Sequence, residues 1–432
     1  MNSGWRASAR RTCREALLPG IHSRRPWDTL ATTSSRALLT AGLFQFVTYA
    51  CFFNLTPLYP EVASDLGVDA GALGGLVGIG GIVSLLAQVP GGSGGDRWGR
   101  RPFFAVALGL LLLSQLARWQ ATTPTVLLAA QVLGGAAQGV ATVNAWALVA
   151  DSAATAPAKG RGGQGQAFGI LNASLALGLV TGYLFAGAVG SQLGWRLMSL
   201  ASAALPLLVV PALGWIPGRG TRLAMVRPGL AVVLRSIVQP QRLALTAMAA
   251  LTLGAGQGAL YLLPFGAQQR DLGPLTAAVL LVPYVVGSVI AGPLGGRLSD
   301  QFGSRPVILA LLAIGVCACF GLIWVGADSP GLVVCFVLIG ASVNGALPLL
   351  AVRIISLGDS AKVGVGTIIA GLRMGQSSGT FLGPAIAGLV LAHVGLDAGW
   401  LAQAACLAVS LALLELAPGR QQPLTARSAP AR

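Results

Sequence analysis

The chain has 432 residues, of which 54% are hydrophobic and only 9% charged, with a formal net charge of +15. Soluble domains carry about a quarter of their residues as Asp, Glu, Lys and Arg, so a water-facing surface cannot be built from this composition and most of the chain must face lipid or other apolar helices. The positive charge does not point to nucleic acid, because the basic residues lie in short connectors and tails with little aromatic interleaving; it is the pattern of orientation signals in a membrane protein.

Residues 1–35 contain Arg6, Arg10, Arg11, Arg14, Arg24 and Arg25. This Arg-rich, Ser-containing stretch has the composition of a transit peptide, but no apolar core precedes residue 36, and a cytoplasmic tail is the preferred assignment. A spanning helix needs about 20 apolar residues. Against that ruler the chain offers twelve spans: 37–59, 71–91, 103–120, 124–150, 166–190, 197–216, 243–267, 275–295, 306–327, 331–357, 364–392 and 398–417. The connectors are short except for 217–242, which is rich in Arg and contains Pro217, Pro228 and Pro240. The expected organisation is an all-α membrane protein with two six-helix bundles, 36–216 and 243–418, a linker at 217–242 and a second tail at 419–432. With the N-terminus inside, 24 Lys and Arg fall on the inner side and three, Arg118, Arg196 and Arg270, on the outer side. That bias predicts that both termini are cytoplasmic. Of the six cysteines, none forms a CxxC pair and five sit within apolar runs; they read as small hydrophobes rather than disulfide or metal residues. No metal or cofactor motif is found.

The connector after the second span, Gly92-Ser93-Gly94-Gly95-Asp96-Arg97-Trp98-Gly99-Arg100-Arg101-Pro102, has a relative after the eighth, Gly296-Arg297-Leu298-Ser299-Asp300-Gln301-Phe302-Gly303-Ser304-Arg305-Pro306. Asp96/Asp300, Gly99/Gly303 and Pro102/Pro306 are each 204 residues apart. The halves also match elsewhere. Asp65-Leu66-Gly67 returns as Asp271-Leu272-Gly273, Gln138-Gly139 as Asn344-Gly345, and Gly178, Gly182 and Gly187 as Gly379, Gly383 and Gly388. Offsets stay between 201 and 206. Parallel six-helix repeats of this kind place a substrate site between the halves near mid-membrane.

Each part of the charged turn has a physical use. Gly92 and Gly95 allow close helix approach, Gly99 can take a positive φ that other residues resist, and Pro102 suits the first turn of the next helix. Asp96 is an anion near helix N-termini, and Arg97, Arg100 and Arg101 can pair with carboxylates at neighbouring helix ends. Asp151, ending the fourth span on the same side, is the best partner. Such contacts would hold one face closed and break when the halves rock.

Gly92-x-x-x-Asp96-Arg97-x-Gly99-Arg100-Arg101 resembles motif A of the major facilitator superfamily, and 296–306, with Asp300, Gly303 and Arg305, resembles its degenerate second-half partner. The resemblance covers roughly residues 36–418 and implies two bundles, a central cavity and alternating access. It also implies an inner-face charge relay with helices four and eleven, in which Asp96, Arg97 and Asp151 match the family's positions. Finer motifs depart from the pattern. Proton-driven drug exporters of the family carry Arg-x-x-Gln-Gly in helix four; here Gln138-Gly139 is kept and Gly135 stands at the arginine position. The helix-five antiporter motif has Gly-Pro, whereas this chain has Gly182-Tyr183, and Gly383-Pro384 carries that dipeptide in the other half.

A charge inside a bilayer span marks a candidate functional residue, and Arg373 is the clear case. Gln376, Ser377 and Thr380 follow it at +3, +4 and +7 on one helical face, which reads as cavity lining; Gly375, Gly379 and Gly383 form an adjacent packing stripe. Gln45 and Tyr49 share a face of the first span, Gln257 and Tyr261 one of the seventh, and Gln138 and Asn344 occupy equivalent places in the fourth and tenth. No acidic residue lies deep in a span, so no proton carrier stands out. The two histidines, His22 and His393, offer no catalytic cluster for a membrane-embedded transferase, and no GxxxxGK[ST] loop is present for an ATP-driven pump. The expectation is a multi-pass plasma-membrane transporter, acting as a monomer in the lipid bilayer without nucleic acid. It would export a small amphiphilic or drug-like molecule, with protons as the coupling ion that the resemblance implies. The alternative is an importer or facilitator of a small organic anion with Arg373 as its contact.

Overall fold

In a bilayer core every backbone N–H and C=O must be satisfied within the protein, which a helix achieves by itself. The computed structural model describes residues 33–154, 163–216, 239–325, 330–356 and 365–415, and all regular structure among them is helical. The helices are α1 (Thr33–Phe52), α2 (Ala70–Trp98), α3 (Arg100–Trp119), α4 (Pro124–Ala154), α5 (Gly163–Ser202), α6 (Ala204–Val209), α7 (Pro240–Gln268), α8 (Pro274–Phe302), α9 (Ser304–Trp324), α10 (Pro330–Ser356), α11 (Val365–His393) and α12 (Leu396–Glu415).

Among the described residues ten stretches are long and apolar enough to cross a membrane. One of them, Gly169–Trp215, has 47 residues, which as a straight helix would run about 70 Å, over twice the hydrocarbon thickness. It is two crossings, because α5 breaks at Gly194 (φ 78°, ψ 161°); the second crossing continues through α6 and a 3-10 segment at Val210–Trp215. With α11, 29 residues long and the carrier of Arg373, the count is the expected twelve. α7 starts at Pro240, three residues before the boundary anticipated at 243, because Pro is well suited to the first helical position.

The first crossing departs from an unbroken helix. α1 stops at Phe52, and the chain resumes as a 3-10 turn at Thr56–Leu58 and a short helix at Tyr59–Leu66. The break strands the last carbonyls of α1, and Arg118 of α3 satisfies them. Its guanidinium donates to Cys51 O (2.8 Å), Phe52 O (3.2 Å), Asn54 Oδ1 (2.8 Å) and Gln131 Oε1 (3.1 Å). Asn54 in turn donates to Gln115 Oε1 (3.2 Å) and to Ser202 Oγ (2.9 Å). Arg118 is fully buried: the cation counted at the outer end of the third span is a brace inside the bundle, at a helix C-terminus, where the macrodipole favours it.

Helices α1–α6 pack among themselves, as do α7–α12, and the two sets meet chiefly along α2·α11 and α5·α8. The internal repeat explains both seams. A side chain at Gly388 of α11 would collide with Ala70 O and approach Gly74 of α2, and one at Gly187 of α5 would collide with Ala278 and Pro274 of α8. These are equivalent contacts in the two halves. Both lie at the end of the molecule opposite the charged turns. There the Tyr261 hydroxyl of α7 also donates to Ala70 O across the halves (2.5 Å), and its ring lies 5.2 Å from that of Tyr59. The α2·α11 seam continues to mid-height, where Gln88 Nε2 donates to Ser377 Oγ (3.2 Å). The glycine stripe of α11 is a packing seam as expected: Gly375, Gly379 and Gly383 meet the α7 backbone at Thr246, Ala250 and Gly254.

Candidate functional site

The charged turn is shorter than the sequence pattern indicates. Helix α2 runs through Gly92, Gly95, Asp96 and Arg97 to Trp98, and α3 begins at Arg100, so the connector is the single residue Gly99. Its φ of 90° and ψ of 158° lie in a region that is essentially glycine-only, which is what allows one residue to reverse the chain. Gly303 repeats this at φ 87° and ψ 155° between α8 and α9. Across the first break Arg100 pairs with Asp96 (3.1 Å) and donates to Asn144 Oδ1 of α4 (3.5 Å). Asn144 is buried and donates to Gly91 O (3.1 Å) and Val140 O (2.8 Å), so it ties the turn to α2 and α4. A side chain at Gly95 would strike Asn144 Oδ1, which is why glycine is needed there. Arg97 lies over its neighbour Trp98 (5.2 Å), and Arg101 is exposed. Asp151 belongs to the last turns of α4, but its side chain lies outside the described residues. In the second copy Asp300 makes no ion pair among the described residues, and Arg305 pairs with Glu415 at the end of α12.

The polar residues assemble on the facing surfaces of the two halves. From the first half, Gln45 and Tyr49 of α1 face Gln138, Thr142 and Trp146 of α4. Thr142 Oγ1 donates to Gln45 Oε1 (3.4 Å), and the side chains of Thr142 and Gln138 sit beside the Tyr49 hydroxyl. Gln45 Nε2 is buried with no partner among the described residues. From the second half, Arg373 of α11 stands over the Trp146 ring, 4.5 Å from its centroid, and donates from Nη1 to Gln376 Oε1 (3.1 Å). Arg373 and Gln376 thus come close to Gln45, Tyr49 and Gln138, with α4 and α11 meeting through a cation–π contact.

The sequence pattern did not single out Trp146 or Asn144. A signal for Trp146 was available: Gln138, Thr142 and Trp146 follow at i, i+4 and i+8 along one stripe of α4. Gln257 and Tyr261 sit higher, lining a chamber with Phe53, Tyr59, Tyr183 and Thr380. Asn344 is engaged within its own half, donating to Ser288 Oγ (2.8 Å) and Tyr284 Oη (3.2 Å) of α8. The glycine at position 135 has a steric cause. A Cβ there would lie 2.3 Å from Gly80 O, so the α2·α4 packing leaves no room for an arginine.

The chain matches the family model of the Major Facilitator Superfamily over residues 41–370 and 284–432. A chloramphenicol resistance protein of Streptomyces lividans is 30% identical over 407 residues, which cover 88% of this chain and 95% of that protein. A 3-(3-hydroxy-phenyl)propionate transporter of Escherichia coli (strain K12) is 25% identical over 376 residues, covering 84% and 89%. Among solved structures, a bacterial homologue of the human lysosomal transporter Spinster, in an inward-facing and occupied conformation, has a TM-score of 0.73 at 17% identity, covering 88% of this chain and 96% of that one. The nucleoside transporter NupG has a TM-score of 0.68 at 14% identity, covering 88% and 98%. At those identities the two structures speak for the fold alone.

Proposed function

The chain belongs to the Major Facilitator Superfamily, and on that premise we propose that it exports a small amphiphilic compound by alternating access between its two six-helix halves. It is a multi-pass membrane transporter and not an enzyme. The observation that carries the export cycle is the closure of the halves at one end. The seams at Gly388 and Gly187 and the Tyr261 contact lie at the end opposite the charged turns, and the Arg373–Trp146 cluster lies between that closed end and the turns. This supports a state in which the cavity is reached from the side of the charged turns. The Lys and Arg distribution supports assigning that side to the cytoplasm. The plasma membrane, cytoplasmic termini, a division into bundles 36–216 and 243–418, and function as a monomer are parts of the same proposal. The chloramphenicol resistance relative favours export over import.

Protons are the coupling ion of this proposal, by likeness to the family's drug exporters. The acidic residues with described side chains lie at or beyond the ends of the crossings: Glu61 and Asp65 are in the short helix after α1, Asp69 caps α2, Asp96 ends it, Asp271 follows α7, Asp300 ends α8, Asp397 begins α12 and Glu415 ends it. Coupling would therefore run through the gate residues Asp96 and Asp151 rather than through a carboxylate in the cavity. The test begins with a panel of amphiphilic compounds compared for cellular retention with and without expression. A compound retained less is then offered to everted vesicles. Accumulation on acidifying the lumen is the expected result; accumulation indifferent to the pH gradient removes antiport, and no accumulation removes export. The alternative, an importer or facilitator of a small organic anion, is favoured by Arg373 alone and predicts uptake into right-side-out vesicles.

A further inference from the structure

The stretch that follows the break in α1 is held at both ends by one helix of its own half. At its start Asn54, which accepts from the Arg118 brace, donates to Ser202 Oγ (2.9 Å). At its far end Asp65 accepts from Trp195 Nε1 (2.9 Å) and from Arg196 Nη1 (2.5 Å). Arg196 is itself fixed: its Nε donates to Ala121 O (2.9 Å), and its guanidinium lies 4.6 Å from the Trp195 ring centroid. Trp195 and Ser202 both stand on the part of α5 that follows the Gly194 break. Their i, i+7 spacing puts them on one face, separated by about 10 Å of rise, so this piece of helix splints residues 54–65. The other side of the splinted stretch faces the second half. The 3-10 turn Thr56–Leu58 touches α7 and α8, and the short helix Tyr59–Leu66 packs on α7. Tyr59, Val62 and Ala63 are buried, with the Tyr59 ring against Tyr261. The second half has no such device. Asp271-Leu272-Gly273 repeats Asp65-Leu66-Gly67, but α12 carries no Lys or Arg, and α7 runs unbroken to Gln268.

We propose that Asp65 is a positioning residue of the transport cycle, latching residues 54–65 to Trp195 and Arg196 so that Tyr59 is presented to Tyr261 whenever the halves close at that end. The latch works by preorganisation. Contacts with α7 order the stretch in the closed arrangement, with or without Asp65. In the open arrangement those contacts are gone, and only the splint keeps the stretch ordered. Fixing a residue costs conformational entropy, and a segment already held in its docked shape avoids that cost on closing. Removing the latch therefore gives freedom to the open arrangement alone and shifts the population toward it. The proposal rests on alternating access between the halves, as proposed above, and names the part that carries the closure opposite the charged turns.

The experiment reads opening at both ends with a membrane-impermeant maleimide. Thr380 lines the chamber beneath Tyr59 and Tyr261, so Thr380→Cys in intact cells reports the outer end. Thr142 lies in the Arg373 cluster, so Thr142→Cys in everted vesicles reports the inner end. Labelling is counted above that of the chain without the added cysteine. Asp65→Ala is expected to speed outer labelling about threefold or more, the size of effect a part-exposed ion pair can exert, while inner labelling does not rise. Asp65→Glu, which keeps the charge, should stay within about twofold of the parent, as should Asp271→Asn in the unlatched half. Should Asp65→Ala fail to reach the membrane, Asp65→Asn keeps an oxygen for Trp195, loses the charge, and carries the same prediction at about twofold. Unchanged outer labelling overturns the proposal. So does a rise at both ends, which would mean that Asp65 merely holds the fold together. So does an equal rise in Asp271→Asn. If vesicles of the parent export no compound while the outer shift is seen, the export reading fails and the latch stands.

Discussion

The two halves are built on one plan and use it differently. Both charged turns are a single glycine at nearly the same backbone angles, Gly99 at φ 90° and Gly303 at φ 87°. Their charges take separate routes. In the first half Arg100 pairs with Asp96 and reaches Asn144. In the second, Ser304 stands at the position of Arg100, and Arg305, the counterpart of Arg101, pairs with Glu415 on α12. The leading helices differ as well. α1 breaks after Phe52 and is braced by the buried Arg118, whereas α7 runs unbroken from Pro240 to Gln268, and Leu322 stands in α9 at the position equivalent to Arg118. Backbone geometry that closes a turn has been kept in both copies, while side chains that latch or brace have been specialised. Shape is set by few options in φ and ψ, but a charge can find several partners at similar cost.

The largest expected effect breaks the brace. Arg118→Leu should make the first half resemble the second and strand the carbonyls of Cys51 and Phe52 together with Asn54 and Gln131. Each buried unsatisfied group costs about 1–3 kcal/mol, so thermal unfolding in detergent should shift down by at least several degrees. Leu322→Met, a volume-conserving change in the other half, should cost less than about 1.5 kcal/mol. An Arg118→Leu protein as stable as its parent would show that the break in α1 needs no cation.

Next come the turns. Gly99→Ala and Gly303→Ala force a side chain into backbone angles that only glycine tolerates, at about 1–3 kcal/mol each. The two variants should lose similar stability in the same unfolding assay. A clear difference would mean that the repeat is not equivalent in backbone, whatever its sequence.

The smallest effect on stability, and the sharpest on function, lies in the aspartates. Asp96→Asn should leave insertion and unfolding nearly unchanged, since exposed ion pairs contribute about 0.2–1 kcal/mol, yet slow transport about tenfold if the pair with Arg100 biases the gate. Asp300→Asn should stay within about twofold of the parent. Equal transport by both variants would remove the functional asymmetry between the two turns.

Much of the site could be read from the chain. The face carrying Arg373, Gln376 and Thr380 follows from helical spacing, as does the pairing of Gln45 with Tyr49, because residues three and four apart on a helix must be neighbours. Where the reading stopped is equally physical. Arg118 counts as an outer-side cation by its place at a span end, because hydropathy cannot tell a snorkelling arginine from a buried one. Asn344 was matched to Gln138 by position in the repeat, but its amide is spent on Tyr284 and Ser288 of a neighbouring helix. Trp146 passed for an ordinary apolar residue until α11 was set against it.

From composition and spacing alone came twelve crossings, the duplication, the glycine that turns the chain between α2 and α3, and one cation inside a span. These are local matters, governed by the length of a helix in lipid and by the angles a residue can adopt. Which side chain each charge touches, where the halves close and what stands opposite Arg373 were decided by packing between helices far apart in sequence. No periodicity within one helix encodes its rotation against another; that is fixed only when glycine-lined surfaces such as α2 and α11 come into contact.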